Sequence, residues 1–345
     1  MNETWQGFLS EQGARIEQQQ VVDFGQPEQE LAAALEQDTL CDLSHRALIR
    51  ASGADCSEFL QGQLSNDIRQ VGPSRHQLSS YCTPKGRILA LFRIFQRQDD
   101  YCLTLPRELL APTLKRLRMF VLRSQVTLEP DEALIGIGLA GPNSEKLLSA
   151  QLGALPALPD ESVEQQGVSV LRLAGKHPRF ALYGELNTIQ GLWQALAADC
   201  RPIGRQGQDL QTIHSALPEV LPETSEAFVP QMLNLQLVNG VNFKKGCYTG
   251  QEVVARMHYL GKLKRRMYLA HLPSDSPIHP GEELASPQSS SGQGAGKVVL
   301  AAPNPQGGQD LLAVAEVSVA ESGGLYLAEQ ENVSLSLLPM PYEFE

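Results

Sequence analysis

Near Arg256 the pattern of this chain changes: strand-like and helix-like segments alternate before it, and only short strand-like segments separated by turns follow it. Leu48-Ile49-Arg50-Ala51-Ser52 reads as a strand, and Asp55 with Glu58 three residues on is a capping-box-like start for a helix through Leu64. Arg87 to Gln96 and Tyr101 to Leu105 read as a hairpin around the turn Arg97-Gln98-Asp99-Asp100. On the helix that follows, Leu110, Leu114, Leu117 and Val121 form one apolar stripe that leaves Lys115, Arg116 and Arg118 off it. Gln125 to Leu128 completes an α+β unit of ferredoxin-like character. A second series starts with Ile135 to Gly141, opens a helix at Gly141-Pro142-Asn143-Ser144, and continues through a hairpin (Ser169 to Ala174, Arg179 to Tyr183) into a helix from Thr188 to Ala198. Downstream, Met267 to Leu272, Gly296 to Ala301, Leu311 to Val319 and Val333 to Leu338 read as strands, with Ser286 to Gly296 a Ser/Gly/Gln loop.

A chain of 345 residues exceeds the size of a single core. The pattern divides it into an N-terminal extension (1–40), two interlocked α+β subdomains (41–255, splitting at approximately 41–128 and 129–255) and a C-terminal β-barrel (256–345). In the extension only the Ala-rich Gln29 to Gln37 reads as a helix, the rest as a loose lead-in. Gly136-Ile137-Gly138 followed by Gly141 has the Gly-x-Gly-x-x-Gly form of a dinucleotide fold, but the proline after the third glycine and the absence of a βαβ repeat make it an ordinary strand-to-helix turn.

Hydrophobic residues at 42% with 19% charged fit an ordered globular protein. The net charge of -11 is unevenly spread. Tyr81 to Gln125 carries nine Lys/Arg against three acids and Lys244 to Arg266 seven against one, each a net of +6. If these segments converge they form a cationic surface suited to an anionic ligand or nucleic acid; apart, they are two solvated faces. Met1 to Gln20 lacks the basic start and apolar run of a secretory signal, and no segment approaches a membrane span. The six cysteines (Cys41, Cys56, Cys82, Cys102, Cys200, Cys247) include no C-x-x-C pair, which argues against zinc and iron–sulfur ligand sets. They are expected to be reduced thiols, and the protein cytoplasmic.

One cysteine stands apart. Lys244-Lys245-Gly246-Cys247-Tyr248-Thr249-Gly250-Gln251-Glu252-Val253-Val254-Ala255-Arg256 places Cys247 beside two lysines and just ahead of a helix expected over Gln251 to Tyr259. Both neighbours favour thiolate, and glycines on either side shape a loop that presents it. Tyr248 either stacks on a ligand or anchors the loop; Arg256 meets an anion, caps its helix, or pairs with Glu252 at i, i+4. Gln231 and Asn234 offer amide donors and acceptors to a ligand or to the loop backbone. The histidines other than His214 have no metal-ligand spacing.

Phe243 to Glu252 resembles the signature of the YgfZ-type folate-binding proteins, relatives of the glycine-cleavage aminomethyltransferases. Ser52-Gly53-Ala54-Asp55 with Phe59 to Asp67, Thr83-Pro84-Lys85-Gly86-Arg87, Arg116 to Arg123 and Phe228 to Leu235 extend the resemblance from about Leu43 to about Met267. It implies an aminomethyltransferase-like multi-domain ring with a ferredoxin-like subdomain and a C-terminal β-barrel. It also implies tetrahydrofolate or a derivative in a central cleft, and a part in maintaining iron–sulfur enzymes, including those that modify tRNA. Cys247 would be the functional thiol, with Lys245 lowering its pKa. The relatives' catalytic carboxylate falls at Leu91 or a neighbour, and no acid lies between Arg87 and Gln98, which argues against aminomethyl transfer. Where relatives present aromatic groups for the pterin this chain has Arg46 and roughly Gln208, and His214 takes a place usually held by Arg or Glu. Two alternatives stand beside this reading: an active one-carbon transferase, and a factor that binds tRNA directly.

Overall fold

The computed structural model describes residues 1–289, 291, 294–330 and 333–344. The chain opens with α1 (Glu3–Glu11), β1 (Arg15–Glu17), β2 (Gln20–Asp23), α2 (Pro27–Glu36) and β3 (Thr39–Asp42). The segment before α2 is therefore no loose lead-in. Asn2 caps α1 by accepting the Trp5 N–H, and the helix buries Trp5, Phe8 and Leu9. Trp5 meets Trp193 edge-on at 5.6 Å and donates its indole N–H to Asp42 at 2.7 Å. Three buried apolar side chains give a Gln/Glu-rich stretch a packed face.

Next come β4 (Arg46–Ser52), α3 (Cys56–Gln63), β5 (Gln77–Cys82), β6 (Ile88–Arg97), β7 (Asp100–Pro106), α4 (Leu110–Arg118) and β8 (Thr127–Pro130). The strands form an antiparallel sheet of order β5-β6-β7-β4-β8. Leaving out β5, that is the strand order of a ferredoxin-like unit. Asp55 stands at the N-cap of α3 without closing the expected capping box; its carboxylate accepts the Gln125 N–H at 2.7 Å, which ties α3 to the approach of β8. Leu114 and Leu117 are buried as their spacing predicts, and Val121 joins them from a turn beyond the helix end.

The second unit contains β9 (Leu134–Ala140), α5 (Ser144–Leu152), β10 (Ser162–Gln165), β11 (Val168–Leu173), β12 (Arg179–Glu185), α6 (Leu186–Leu196), β13 (Arg201–Ile203) and α7 (Arg205–His214). Its sheet runs β10-β11-β12-β9-β3-β13, with β3 antiparallel to β9 and parallel to β13. The Gly-x-Gly-x-x-Gly run is a packing device. A Cβ on Gly138 would sit 2.6 Å from Cys41 Sγ, and one on Gly136 would sit 2.7 Å from the Tyr183 ring.

After α8 (Gln251–Tyr259), the chain forms β14 (Arg265–Leu272), β15 (Glu283–Ala285), β16 (Gly296–Pro303), β17 (Gln309–Glu316), α9 (Val317–Ser322), β18 (Tyr326–Leu327) and β19 (Ser336–Leu338). These strands make one curled antiparallel sheet, a half-barrel of order β18-β15-β16-β17-β14-β19. The strand expected through Val319 ends at Glu316, where the Glu316 and Val317 N–H groups turn to Ala295 and Lys264 carbonyls and a short helix follows. The strand expected from Val333 begins only at Ser336. Within the Ser286 to Gly296 loop, Ser290, Gly292 and Gln293 lie outside the described residues. One core joins the ferredoxin-like sheet, α7 and the half-barrel through Leu210, Ile213, Leu300 and Leu312. Among the described residues no helix is long and apolar enough to cross a membrane.

Candidate functional site

The loop ahead of α8 is held from three sides. Gly250 caps α8 at φ +86°, and a Cβ there would lie 2.4 Å from the Thr83 carbonyl oxygen, so the turn Thr83 to Arg87 packs directly on it. Gly246 has open space around its Cβ position and no positive φ, so only one of the two flanking glycines is required by geometry. Gln231 supports the helix from beneath, donating to the Val254 carbonyl at 2.6 Å. Phe243 stacks on His258 at 3.7 Å between ring centroids.

Lys245 is buried, 6% exposed, and its ammonium donates to the Gln61 and Leu64 carbonyls at 2.6 and 2.5 Å, closing the C-terminal end of α3. It also lies 5.0 Å from the centre of the buried Tyr248 ring. Desolvation pulls its pKa down to about 8. The residue expected to tune the thiol is thus committed to α3, and Tyr248 anchors the loop through it. Cys247 is exposed, whereas the other five cysteines are buried and burial pushes each of them up to about 12. Arg256 is exposed, and among the described residues it forms no ion pair with Glu252.

The remaining ligand-site candidates divide. Arg46 and Gln208 line a chamber between the two sheets together with Leu91, Arg93, Arg179, Tyr183 and Glu219. Arg46 pairs with Glu219 at 2.7 Å, and the Oε1 atom of Gln208 is buried without a hydrogen-bond partner. His214, Gln231 and Asn234 go elsewhere. His214 Nε2 lies 2.7 Å from Asp310 Oδ2, and His271 Nδ1 lies 2.8 Å from Oδ1 of the same fully buried carboxylate. Asn304 donates a third bond to Asp310 at 2.8 Å. Burial pushes the Asp310 pKa up, but the bonds from His214, His271 and Asn304 outweigh it and hold the carboxyl below its ordinary value. His214 is therefore a clasp between α7 and the half-barrel. Asn234, with left-handed backbone at φ 55°, donates to the Met267 carbonyl at 2.8 Å and to the Tyr342 hydroxyl at 3.2 Å, which ties the turn Pro230–Leu233 to the half-barrel.

The two basic segments converge only in part. The turn carrying Lys85 packs against the start of α8, where a Cβ on Gly86 would meet Val253 at 3.1 Å. Other cations of the first segment are spent internally: Arg97 on Gly167 and Ser169, Arg107 on Ser44, Arg118 on Leu128. Lys262 and Lys264 rim a cleft of about 1360 Å³ against the half-barrel, with Phe228, Met232 and Met257 in its wall. Among the described residues no group of three His, Cys, Asp or Glu is placed to hold a metal ion.

The chamber encloses about 50 Å³. A water occupies about 30 Å³ of liquid and ligand pockets run from about 300 Å³ upward, so its closed form admits a small polar group and no pterin ring. Its guanidinium groups and the open acceptor on Gln208 fit the anionic and hydrogen-bonding parts of a folate, while the ring requires Arg46 and its neighbours to move.

Residues 19–245 match the model of the GCVT N-terminal domain. Over 322 residues the chain is 34% identical to the "tRNA-modifying protein YgfZ" of Enterobacter sp. (strain 638), covering 92% of this chain and 98% of that one. The protein of the same name from Colwellia psychrerythraea is 32% identical over 246 residues, 71% and 75% of the two chains. That of Escherichia coli (strain K12 / DH10B) is 29% identical over 319 residues, 92% and 98%. The glycine cleavage system aminomethyltransferase T of Bartonella henselae superposes with a TM-score of 0.80 at 17% identity, covering 97% of this chain and 96% of that one, which establishes an aminomethyltransferase-like fold. By the match across residues 19–245 and the 34% identity over nearly its whole length, the chain belongs to the GCVT family.

Proposed function

We propose that this protein is a folate-binding accessory factor in tRNA modification, acting in the cytoplasm through Cys247 to support assembly or repair of iron–sulfur enzymes. The observation that carries the reading is the presentation of one exposed thiol, among six, on a loop clamped to α3 and to the Thr83–Arg87 turn. The name of its relatives supports a connection with tRNA modification, with tRNA itself met indirectly. Tetrahydrofolate or a derivative is the cofactor of this reading, a carrier of one-carbon units when bound, held by Arg46, Gln208 and the chamber's other guanidinium groups once the chamber opens. Leu91, buried in the chamber wall, cannot move a proton. The domain division into 1–40, 41–255 (approximately 41–128 and 129–255) and 256–345 belongs to the same proposal.

A second reading, one-carbon transfer to an amine, draws on Glu219, a carboxylate supplied to the chamber from outside β6. Its ion pair with Arg46 already occupies it, so we place this reading second. In cells lacking the native protein, Cys247→Ser is expected to accumulate as soluble protein yet fail to restore an iron–sulfur-dependent tRNA-modifying enzyme. Full restoration by the serine variant would remove the thiol from the function.

A further inference from the structure

The charges around the central chamber do not balance. Three guanidinium groups line it, from Arg46, Arg93 and Arg179, against one carboxylate, Glu219. Glu219 pairs with Arg46 at 2.7 Å. Arg93 has a neutral partner: its Nη1 lies 3.2 Å from His76 Nδ1, while His76 Nε2 lies 2.9 Å from the Arg172 carbonyl, an arrangement that makes Nε2 the donor and Nδ1 the acceptor. Arg179, 7% exposed, donates to the Ser215 and Thr212 hydroxyls at 2.7 and 3.2 Å and to the Gln211 carbonyl at 3.1 Å. Among the described residues neither Arg93 nor Arg179 has a carboxylate within ion-pair distance; Asp160 acts on Arg93 only at longer range. The nearby Arg205–Asp209 pair is self-compensating at 2.7 Å, and the buried His45 is held neutral by desolvation and the arginines around it. With Glu219 spent on Arg46 and acting on Arg93 and Arg179 only at longer range, the lining of this space of about 50 Å³ keeps an excess of positive charge.

Leaving a charge out of water without a partner is expensive, and here it occurs twice in one cavity. Desolvation draws the Arg179 pKa down to about 10, with Arg93 adding to the burden, and desolvation lowers that of Arg93, with Arg46 adding to it. We propose that the central chamber is an anion site that takes one carboxylate- or phosphate-sized oxyanion group between Arg93 and Arg179. The chamber matches such a group in size and charge. The inference stands without the folate reading.

The test uses the full chain, with sodium phosphate and sodium glutarate as probes at constant ionic strength against chloride, read by thermal midpoint and by calorimetric Kd. Both probes, or one of them, are expected to raise the midpoint where chloride does not. Arg93→Met, which replaces an uncompensated cation by an apolar chain of similar length, is expected to fold at least as stably as wild type and to weaken the anion about tenfold or more. Glu219→Gln removes the one negative charge and is expected to tighten the anion several-fold, a gain that damage to the fold cannot produce. Binding of phosphate alone assigns the site to an inorganic or phosphoryl source, binding of glutarate alone to a carboxylate source, and a separate titration with tetrahydrofolate tests the folate reading. Failure of every folate with glutarate still bound overturns the cofactor reading and leaves the anion site standing. No anion-specific shift in wild type, or no tightening in Glu219→Gln, overturns the anion site.

Discussion

Asp310→Ala should loosen the half-barrel from the body of the protein without touching the central chamber. The carboxylate is fully buried and accepts from His214, His271 and Asn304 at 2.7, 2.8 and 2.8 Å. Hydrogen bonds to a charged group contribute about 1.5–3 kcal/mol each when their partner is lost. The histidine side chains are 33% and 28% exposed and can turn to water, and the substitution also relieves the cost of burying a carboxylate. The net loss should therefore be about 2–4 kcal/mol. Urea unfolding of wild type and variant measures it as a shift in midpoint at unchanged slope. The pH dependence adds a second check. A carboxyl whose folded pKa lies below its unfolded value of about 3.9 stabilises fully above that value, and the contribution is lost as pH falls through the folded pKa. The gap between wild type and Asp310→Ala should accordingly narrow below about pH 4. A gap under about 0.5 kcal/mol at neutral pH, or one that persists unchanged into acid, would refute the clasp. His214→Ala should reproduce part of the loss and leave folate affinity within about twofold, since the imidazole serves Asp310.

Iodoacetamide near neutral pH should label Cys247 well before any other thiol in the native protein, because the other five are buried and held as thiols; peptide mapping that finds Cys82 or Cys200 modified first contradicts this. Cys247→Ser should change unfolding stability by less than about 1 kcal/mol, as an exposed loop side chain contributes little core area. Gly250→Val should cost at least about 2 kcal/mol and raise proteolysis of the loop, while Gly246→Val should cost well under that, since only Gly250 combines positive φ with a carbonyl 2.4 Å from its Cβ position. Comparable losses in both variants would undo the argument from loop geometry.

The long periodic elements were legible in the sequence. The helix Gln251–Tyr259 has the bounds its lack of breakers implied, and the Leu114/Leu117 stripe faces the core. The helix α1 was not, because only three apolar residues among polar ones face inward and their partner, Trp193, lies far along the chain. Tertiary packing overrode a weak local signal. The site divided in the same way. The loop around Cys247 was visible because glycines, lysines and a helix start lie together in sequence, yet Lys245 was given a task its geometry does not perform. Arg93 and Arg179 left a signal that went unused: each is a cation on a strand built mostly of apolar residues, where an exposed position is scarce. Asp310 carries the same mark within Gln309–Glu316.

The central place of β3 has a consequence for synthesis. This strand, complete by Asp42, needs β9 on one side and β13, ending at Ile203, on the other. A ribosome adding about 5–20 residues per second takes roughly ten to thirty seconds to travel between those points. Throughout that interval the N-terminal strand waits with at least one edge open, so nascent chains should be most exposed to chaperones and to edge-to-edge association before Ile203 has emerged.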